Sequence, residues 1–120
     1  MRLILILLSF LFLSACADKP LTMYQRGNAA FMSRDYHASF KYYLYGANQH
    51  LAESQYAVAY QYYYGLGTKV SEEKAVVWLR RAAKQRLLKA EYALQVIEDN
   101  LPKQPWMVCY KPLKHTRCHP

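Results

Sequence analysis

The sequence has no apolar run long enough to be read as a membrane-spanning helix. Such a helix needs about 20 apolar residues, whereas the stretch from Leu3 to Leu13 is shorter and is broken by Ser9. Arg2 supplies the positive charge that precedes the apolar region of a secretory signal. We therefore expect residues 1–15 to be a signal peptide, with a membrane helix as the alternative.

Motifs for catalysis, for cofactor binding and for nucleic-acid recognition are also missing. There is no nucleophile elbow, no phosphate-binding glycine loop and no HExxH pair. The carboxylates fall where helix surfaces predict them, and His37 and His50 lie at helix starts or turns. We expect no enzyme activity, no cofactor, no metal and no nucleic-acid partner.

Cysteine is scarce, with three in 120 residues. The first ends the stretch Leu13-Ser14-Ala15-Cys16, which resembles the lipobox at which bacterial lipoprotein signals are cut and the cysteine acylated. The resemblance implies lipid attachment at Cys16 through three acyl chains, which anchor firmly because each buried methylene contributes about 0.8 kcal/mol. Ala17 stands where an aspartate would favour the inner membrane, so we expect the outer membrane, facing the periplasm. An unmodified cysteine in an ordinary signal is the alternative.

Acidic residues are absent from the tail, residues 101–120, which is basic and punctuated by proline. The two cysteines that remain after lipidation, Cys109 and Cys118, are expected to form a disulfide in the oxidising periplasm. Closing so small a loop contributes about 3 kcal/mol in the chain-entropy treatment. A zinc site that adds His115 and His119 is one alternative by ligand type, although the spacing fits no zinc motif. Unpaired or intermolecular cysteines are the other.

The centre of the chain, residues 52–86, predicts two helices joined by a glycine-marked turn. In the first, apolar residues recur on one face at steps of four, three and four: Ala52, Tyr56, Ala59 and Tyr63. Gly65 and Gly67 suit a left-handed helix terminator, and Ser71 suits the N-cap of the second helix. The buried stripe of that helix is expected to be Ala75, Trp78, Leu79, Ala82 and Ala83. Small residues on both faces indicate an antiparallel hairpin.

This hairpin resembles a Sel1-like repeat, a relative of the tetratricopeptide repeat. The matching positions are Ala52, Gln55, Tyr56, Val58, Tyr62, Gly65, Gly67, Lys74, Ala75, Trp78, Ala82 and Ala83. Ala59, Thr68 and Ser71 depart from the family pattern by conservative changes. The glycine that the family places after its K-A-A sequence is replaced by His50 in one unit and Arg86 in the next, so a tighter or differently angled turn is expected there.

The flanking segments indicate more units of the same kind. Residues 22–49 predict a second hairpin with Asp35 as an N-cap, and a shift of 36 residues aligns several large and small positions of the chain with one another. A fifth helix is expected from Leu87 to about Asn100, and no partner helix follows it. We therefore interpret it as a helix that caps the end of the stack. Its inner face is expected to be Ala90, Leu94 and Ile97. We predict an all-α, short α-solenoid over residues 22–100, preceded by a tether at 16–21.

Tyrosine is abundant, with twelve in the sequence. The cluster Tyr60, Tyr62, Tyr63 and Tyr64 cannot face one core as a whole, because neighbouring helical residues point about 100° apart. We interpret Tyr56, Tyr63 and Trp78 as core. Tyr60 and Tyr64 are candidates for an exposed partner-binding surface, with Arg80 and Lys84 adding charge selection. Filling of gaps between helices and a solvated charged face are the alternatives.

The resemblance to Sel1-like repeats implies a scaffold that binds another protein without catalysis. Together with the signal, it predicts a lipid-anchored periplasmic protein that is accessory to an envelope, pilus or secretion assembly. Removal of the signal takes Arg2 away and leaves 15 basic and 8 acidic residues, a charge of +7. One alternative is a periplasmic regulator or immunity-type inhibitor that uses its basic tail, and another is a peptidoglycan-modifying enzyme. Two repeats are few for an independent solenoid, so the sequence also predicts that a second copy of the chain in a homo-oligomer, or a partner, completes the core.

Overall fold

The structure, a computed structural model, describes residues 22–99. In this range the chain forms five α-helices and no strand: α1 (Met23–Met32), α2 (Tyr36–Asn48), α3 (Ala52–Tyr64), α4 (Glu72–Lys84) and α5 (Leu88–Glu98). Each helix packs on the next along the chain. Short connections force successive helices to run in opposite directions, so the predicted all-α solenoid of antiparallel pairs with a final single helix is confirmed.

The predictions for the two ends of the chain concern residues outside the described range. These are the signal peptide, the lipid site at Cys16, the tether, and the tail with Cys109 and Cys118, and they stay predictions. Between residues 22 and 99, no helix has the length and apolar character that crossing a membrane requires.

Side-chain caps set three of the helix starts. Asp35 Oδ1 accepts a hydrogen bond from the Ala38 amide at 3.0 Å, and Ser71 Oγ accepts one from the Lys74 amide at 3.3 Å. Both caps were predicted, and both satisfy an amide that the first turn of a helix leaves without a partner. Thr22 adds a capping box with Gln25 at the start of α1.

The turns between helices use left-handed backbone positions. Gly65 and Gly67 both have φ of 69°, as the sequence predicts for a helix terminator. Arg34, His50 and Arg86 occupy the same region with φ of 60°, 62° and 62°, although this conformation is unfavourable for a residue with a Cβ. Although His50 and Arg86 replace the glycines of the family pattern, the backbone at both positions still adopts the left-handed conformation that glycine favours.

The core consists of two clusters of buried side chains that share neighbours. One joins α3, α4 and α5 and contains Ala59, Tyr63, Ala75, Leu79, Ala82, Ala90, Ala93 and Val96. The other joins α2 and α3 and contains Tyr43, Ala47 and Val58. Tyr62 and Trp78 pack against both. Because alanine dominates, the helices approach closely and a few larger side chains fill the remaining space.

The buried faces of α4 and α5 were predicted with different accuracy. On α5 the residues buried most deeply are Ala90, Ala93 and Val96, whereas the predicted Leu94 and Ile97 are only half-buried at the edge of the cluster. After Ala90, the buried face of α5 therefore lies one residue before the predicted positions. The reason is that the small Ala93 is the residue that lets α5 approach α4. On α4 the predicted stripe is confirmed at Ala75, Leu79 and Ala82, and Trp78 and Ala83 flank it half-buried.

Two buried glutamines fix α3 against its neighbours. Gln61 Nε2 donates to Ser39 Oγ at 2.7 Å and to the Tyr36 carbonyl at 3.1 Å. Gln55 Nε2 donates to the Ala47 carbonyl at 3.3 Å, and its Oε1 accepts from Gln85 Nε2 at 2.9 Å. Buried amides without partners would be costly, so these bonds restrict how α3 can slide relative to α2 and α4.

Candidate partner-binding surface

Aromatic rings from three helices meet on one side of the stack. Tyr60 and Tyr64 lie one turn apart on α3, with ring centroids 4.6 Å apart. The Phe31 ring near the end of α1 lies 6.1 Å from the Tyr60 ring and 5.1 Å from the ring of Tyr36 at the start of α2. We call this set, Phe31, Tyr36, Tyr60 and Tyr64, the aromatic face. Edge-to-face contacts of this kind stabilise aromatic clusters.

Tyr60 and Tyr64 are half-buried and pack against the larger core cluster. Burial raises the pKa of Tyr60, and the nearby Tyr36 adds to the increase. Its phenol therefore stays protonated at neutral pH, where it can both donate and accept a hydrogen bond. Half-burial agrees with both interpretations from the sequence, since each ring supports the core and keeps a part accessible. Partner binding by Tyr60 and Tyr64 stays a prediction.

The row of tyrosines on α3 continues to Tyr56, one turn before Tyr60. Tyr56 is half-buried, and burial is the main cause of its raised pKa, with smaller contributions from Tyr60, Tyr64 and Glu53. Lys89 of α5 lies over the Tyr56 ring, with Nζ 4.7 Å from the centroid, and the same ammonium pairs with Glu53. The tyrosine row therefore runs from the neighbourhood of α1 to that of α5.

The structure gives the two predicted cations different neighbours. Arg80 Nη2 lies 3.6 Å from Glu98 Oε1 in a well-exposed ion pair. Lys84 lines a groove beside Ala47 and His50, at the far end of α2. Thus Tyr60 and Tyr64 are brought together, whereas Arg80 faces α5 and Lys84 faces the end of α2.

Phe31 and Tyr36 complete the aromatic face, although sequence reasoning did not select them for partner binding. Tyr36 directly follows the N-cap Asp35, and its contact with Phe31 depends on the short turn that brings α1 and α2 together. The signal available in the sequence was the set of aromatic residues on either side of Asp35. Over residues 22–99 there is no group of three His, Cys, Asp or Glu side chains arranged to hold a metal ion.

Comparison with known families agrees with this architecture. The Sel1 repeat model matches residues 13–51 and 52–87, more than half of the chain. The second match covers α3 and α4, which is the hairpin singled out from the sequence; the first covers α1 and α2 and begins within the predicted signal segment. No curated protein and no solved structure matches the chain. With two consecutive matches that coincide with two helix pairs, the chain belongs to the Sel1 repeat family.

Proposed function

We propose that this protein is a non-catalytic scaffold that binds a protein or peptide partner through its aromatic face. A lipid on Cys16 would attach it to the bacterial cell envelope, at the outer membrane and facing the periplasm. There it would serve as an accessory to an envelope, pilus or secretion assembly. Sel1 repeats are typically non-catalytic modules that bind other proteins, and this supports the general class of the function.

The observation that carries the proposal is the half-buried aromatic face itself. Tyrosine presents a large apolar ring with a polar tip and loses little conformational entropy on binding, so it is enriched at protein interfaces. Here Tyr60 and Tyr64 are already positioned by the core on which they pack. A surface that is ordered before binding gives a partner more affinity for the same contact area. A helix or an extended segment laid across α1 and α3 would meet these rings.

The first test is crosslinking in intact cells with the full-length protein as bait, comparing two double variants. We expect Tyr60→Ala with Tyr64→Ala to reduce capture of the partner about tenfold or more. A few aromatic anchor residues supply most of the binding energy of an interface, and truncating them to alanine removes it. The matched control is Tyr45→Ala with Tyr92→Ala, which removes two tyrosines that are 56% and 53% exposed on other helices. The control should retain capture, and circular dichroism should show that both variants keep the helical fold.

Two outcomes would contradict the scaffold proposal. If the folded Tyr60→Ala, Tyr64→Ala variant captures its partner normally, the aromatic face is not the binding surface. If deletion of residues 101–120 abolishes capture instead, the basic tail is the binding element. That result would favour a periplasmic regulator or immunity-type inhibitor of an enzyme.

The second test concerns the anchor. Metabolic labelling with palmitate should label the wild-type protein and not the Cys16→Ser variant, because the acyl chains require the thiol. Globomycin, which blocks cleavage at a lipobox, should cause the unprocessed precursor of the wild type to accumulate. Membrane fractionation would then separate outer from inner membrane. Palmitate label that persists in Cys16→Ser would refute the assignment of the lipid to this residue.

A further inference from the structure

A second surface lies away from the aromatic face, between the carboxyl ends of α2 and α4. It is an open groove of about 600 Å³. The walls come from the end of α2 with its turn and from the last turn of α4, and Gln55 of α3 lies at its base. We call it the α2–α4 groove, and its main lining residues are Ala47, His50, Gln55, Arg81, Lys84 and Gln85.

The charges around the α2–α4 groove are of one sign. Arg81 and Lys84 line it, and no carboxylate of the described part of the chain does. Arg80 and Lys89 nearby have carboxylate partners in Glu98 and Glu53. By contrast, Arg81 and Lys84 form no ion pair with any carboxylate of residues 22–99. Two neighbouring cations without a counter-charge repel one another, so an anionic ligand between them is favoured electrostatically.

Helix capping does not account for these two cations. Basic residues in a last turn can bond the free carbonyls of a helix, but here backbone amides of the turn already do so. Gln85 N donates to the Ala82 carbonyl at 3.0 Å and Arg86 N to the Ala83 carbonyl at 2.8 Å. On the opposite wall, the Ala47 carbonyl accepts from His50 N at 3.1 Å and from Gln55 Nε2 at 3.3 Å. Among residues 22–99, no acceptor takes a hydrogen bond from the side chain of Arg81 or Lys84, so these donors are available to a ligand.

Arg81 is also held in a defined orientation. Its guanidinium carbon lies 4.5 Å from the centre of the Trp78 ring. Stacking on an indole restricts the guanidinium while leaving its N–H edge free to bond a carboxylate, often through two bonds at once. Most of the surface that lines the groove is apolar. An acidic segment with an apolar side chain among its carboxylates would complement both features.

We propose that the α2–α4 groove binds an acidic peptide segment of a partner protein, with its carboxylates paired to Arg81 and Lys84. This surface is independent of the aromatic face and is formed by different residues. A domain with both surfaces can hold two partners, or two segments of one partner, at the same time. Such double attachment strengthens binding without any additional contact at either surface.

The test measures binding of a synthetic peptide to the full chain in neutral detergent by fluorescence anisotropy. The probe is a short fluorescein-labelled peptide of glutamate and leucine, and its matched control has glutamine in place of every glutamate. We expect Arg81→Gln with Lys84→Gln to weaken binding of the glutamate peptide about tenfold. The matched control variant, Lys41→Gln with Lys69→Gln, removes the same charge from exposed positions outside the groove and should change binding less than about twofold.

Three results would overturn the proposal. One is equal weakening by the two double variants, which would mean that only net charge matters. Another is equal binding of the glutamate and glutamine peptides. The third is peptide-induced NMR shifts confined to Tyr60 and Tyr64, which would place the acidic segment on the aromatic face. Supporting shifts would instead fall on the amides of Asn48, His50 and Gln85.

Two further variants keep this test separate from folding and from the proposed scaffold function. Arg81 packs on Trp78, so Lys84→Glu serves as a second variant that leaves this contact in place, and it should also weaken peptide binding about tenfold. Tyr60→Ala with Tyr64→Ala should bind the peptide as the wild type does. The aromatic face and the α2–α4 groove can therefore fail independently of one another.

Discussion

Replacement of Gly67 by alanine is expected to lower the free energy of unfolding by about 2–5 kcal/mol. Gly67 has φ of 69°, and placing a residue with a Cβ in this region contributes about 1–2 kcal/mol of strain. The added Cβ would also fall on the Tyr36 carbonyl and lie 2.8 Å from the His37 amide nitrogen. Backbone atoms cannot rotate away, so overpacking adds about 1–3 kcal/mol. Urea unfolding followed by circular dichroism measures the loss.

The effect of this substitution extends beyond the turn because the Tyr36 carbonyl is a shared acceptor. It receives hydrogen bonds from Gln61 Nε2 at 3.1 Å and from Ser39 Oγ at 3.0 Å. Moving Tyr36 to admit a methyl group would therefore disturb the link between α2 and α3. For a small domain of marginal stability, a loss of this size leaves a large unfolded fraction near physiological temperature.

Gly65→Ala is the matched control. Gly65 has the same φ of 69°, but its added Cβ meets Cγ2 of Val70 at 2.6 Å. Val70 is exposed and its side chain can move, so only the backbone strain of about 1–2 kcal/mol should remain. Equal losses for the two variants would show that the close approach of Gly67 to α2 does not limit stability.

Helix positions could be predicted well from this sequence because they depend on local signals. Asp35 and Ser71 are short polar side chains placed just before apolar periodic segments, and each caps a helix as expected. Gly65 likewise ends α3 where the sequence placed the terminator, and Gly67 takes the expected left-handed conformation in the turn that follows. None of these features requires knowledge of what lies elsewhere in the fold, so spacing and residue type were sufficient.

Features that depend on how helices pack were predicted less well. The inner face of α5 was shifted because periodicity alone treats alanine and leucine as equivalent, whereas close packing against α4 selects the small Ala93. His50 and Arg86 adopt left-handed positions that sequence rules reserve for glycine. The surrounding turns and helices impose this backbone, and its local strain cannot be read from residue type.

The candidate surfaces show the same division between local and tertiary information. Tyr60 and Tyr64 were grouped correctly because residues four apart share a helix face. Arg80 and Lys84 also share a helix face by that rule, yet their long side chains reach different neighbours. Where such a side chain ends depends on the helices beside it. For this reason the α2–α4 groove, which needs α2 and α4 together, could not be inferred from the sequence of either helix.

Leu79→Ala is expected to lower the free energy of unfolding by about 3 kcal/mol or more. Leu79 is 0% exposed, and among the described residues it has the largest side chain that is fully buried. Its neighbours in the larger cluster are mainly alanines, which have no side-chain length with which to fill the space. Leucine-to-alanine changes at such sites lose about 2–5 kcal/mol, and the loss is greatest where the cavity cannot collapse. Val77→Ala on the same helix, at a position 45% exposed, should lose about 1 kcal/mol or less.

Leu79→Ala also tests whether the repeats unfold together. Tyr62 and Trp78 pack against both core clusters, so a cavity beside Leu79 should weaken α2 as well as α4. We expect amide hydrogen exchange to accelerate at Tyr43 and Ala47 of α2 as much as in α4, with a single unfolding transition. Nearest-neighbour coupling of this kind is what makes a stack of helix pairs behave as one unit. If α2 kept its protection while α4 lost it, the two clusters would unfold independently, and the aromatic face, which draws residues from α1, α2 and α3, could stay intact without α4.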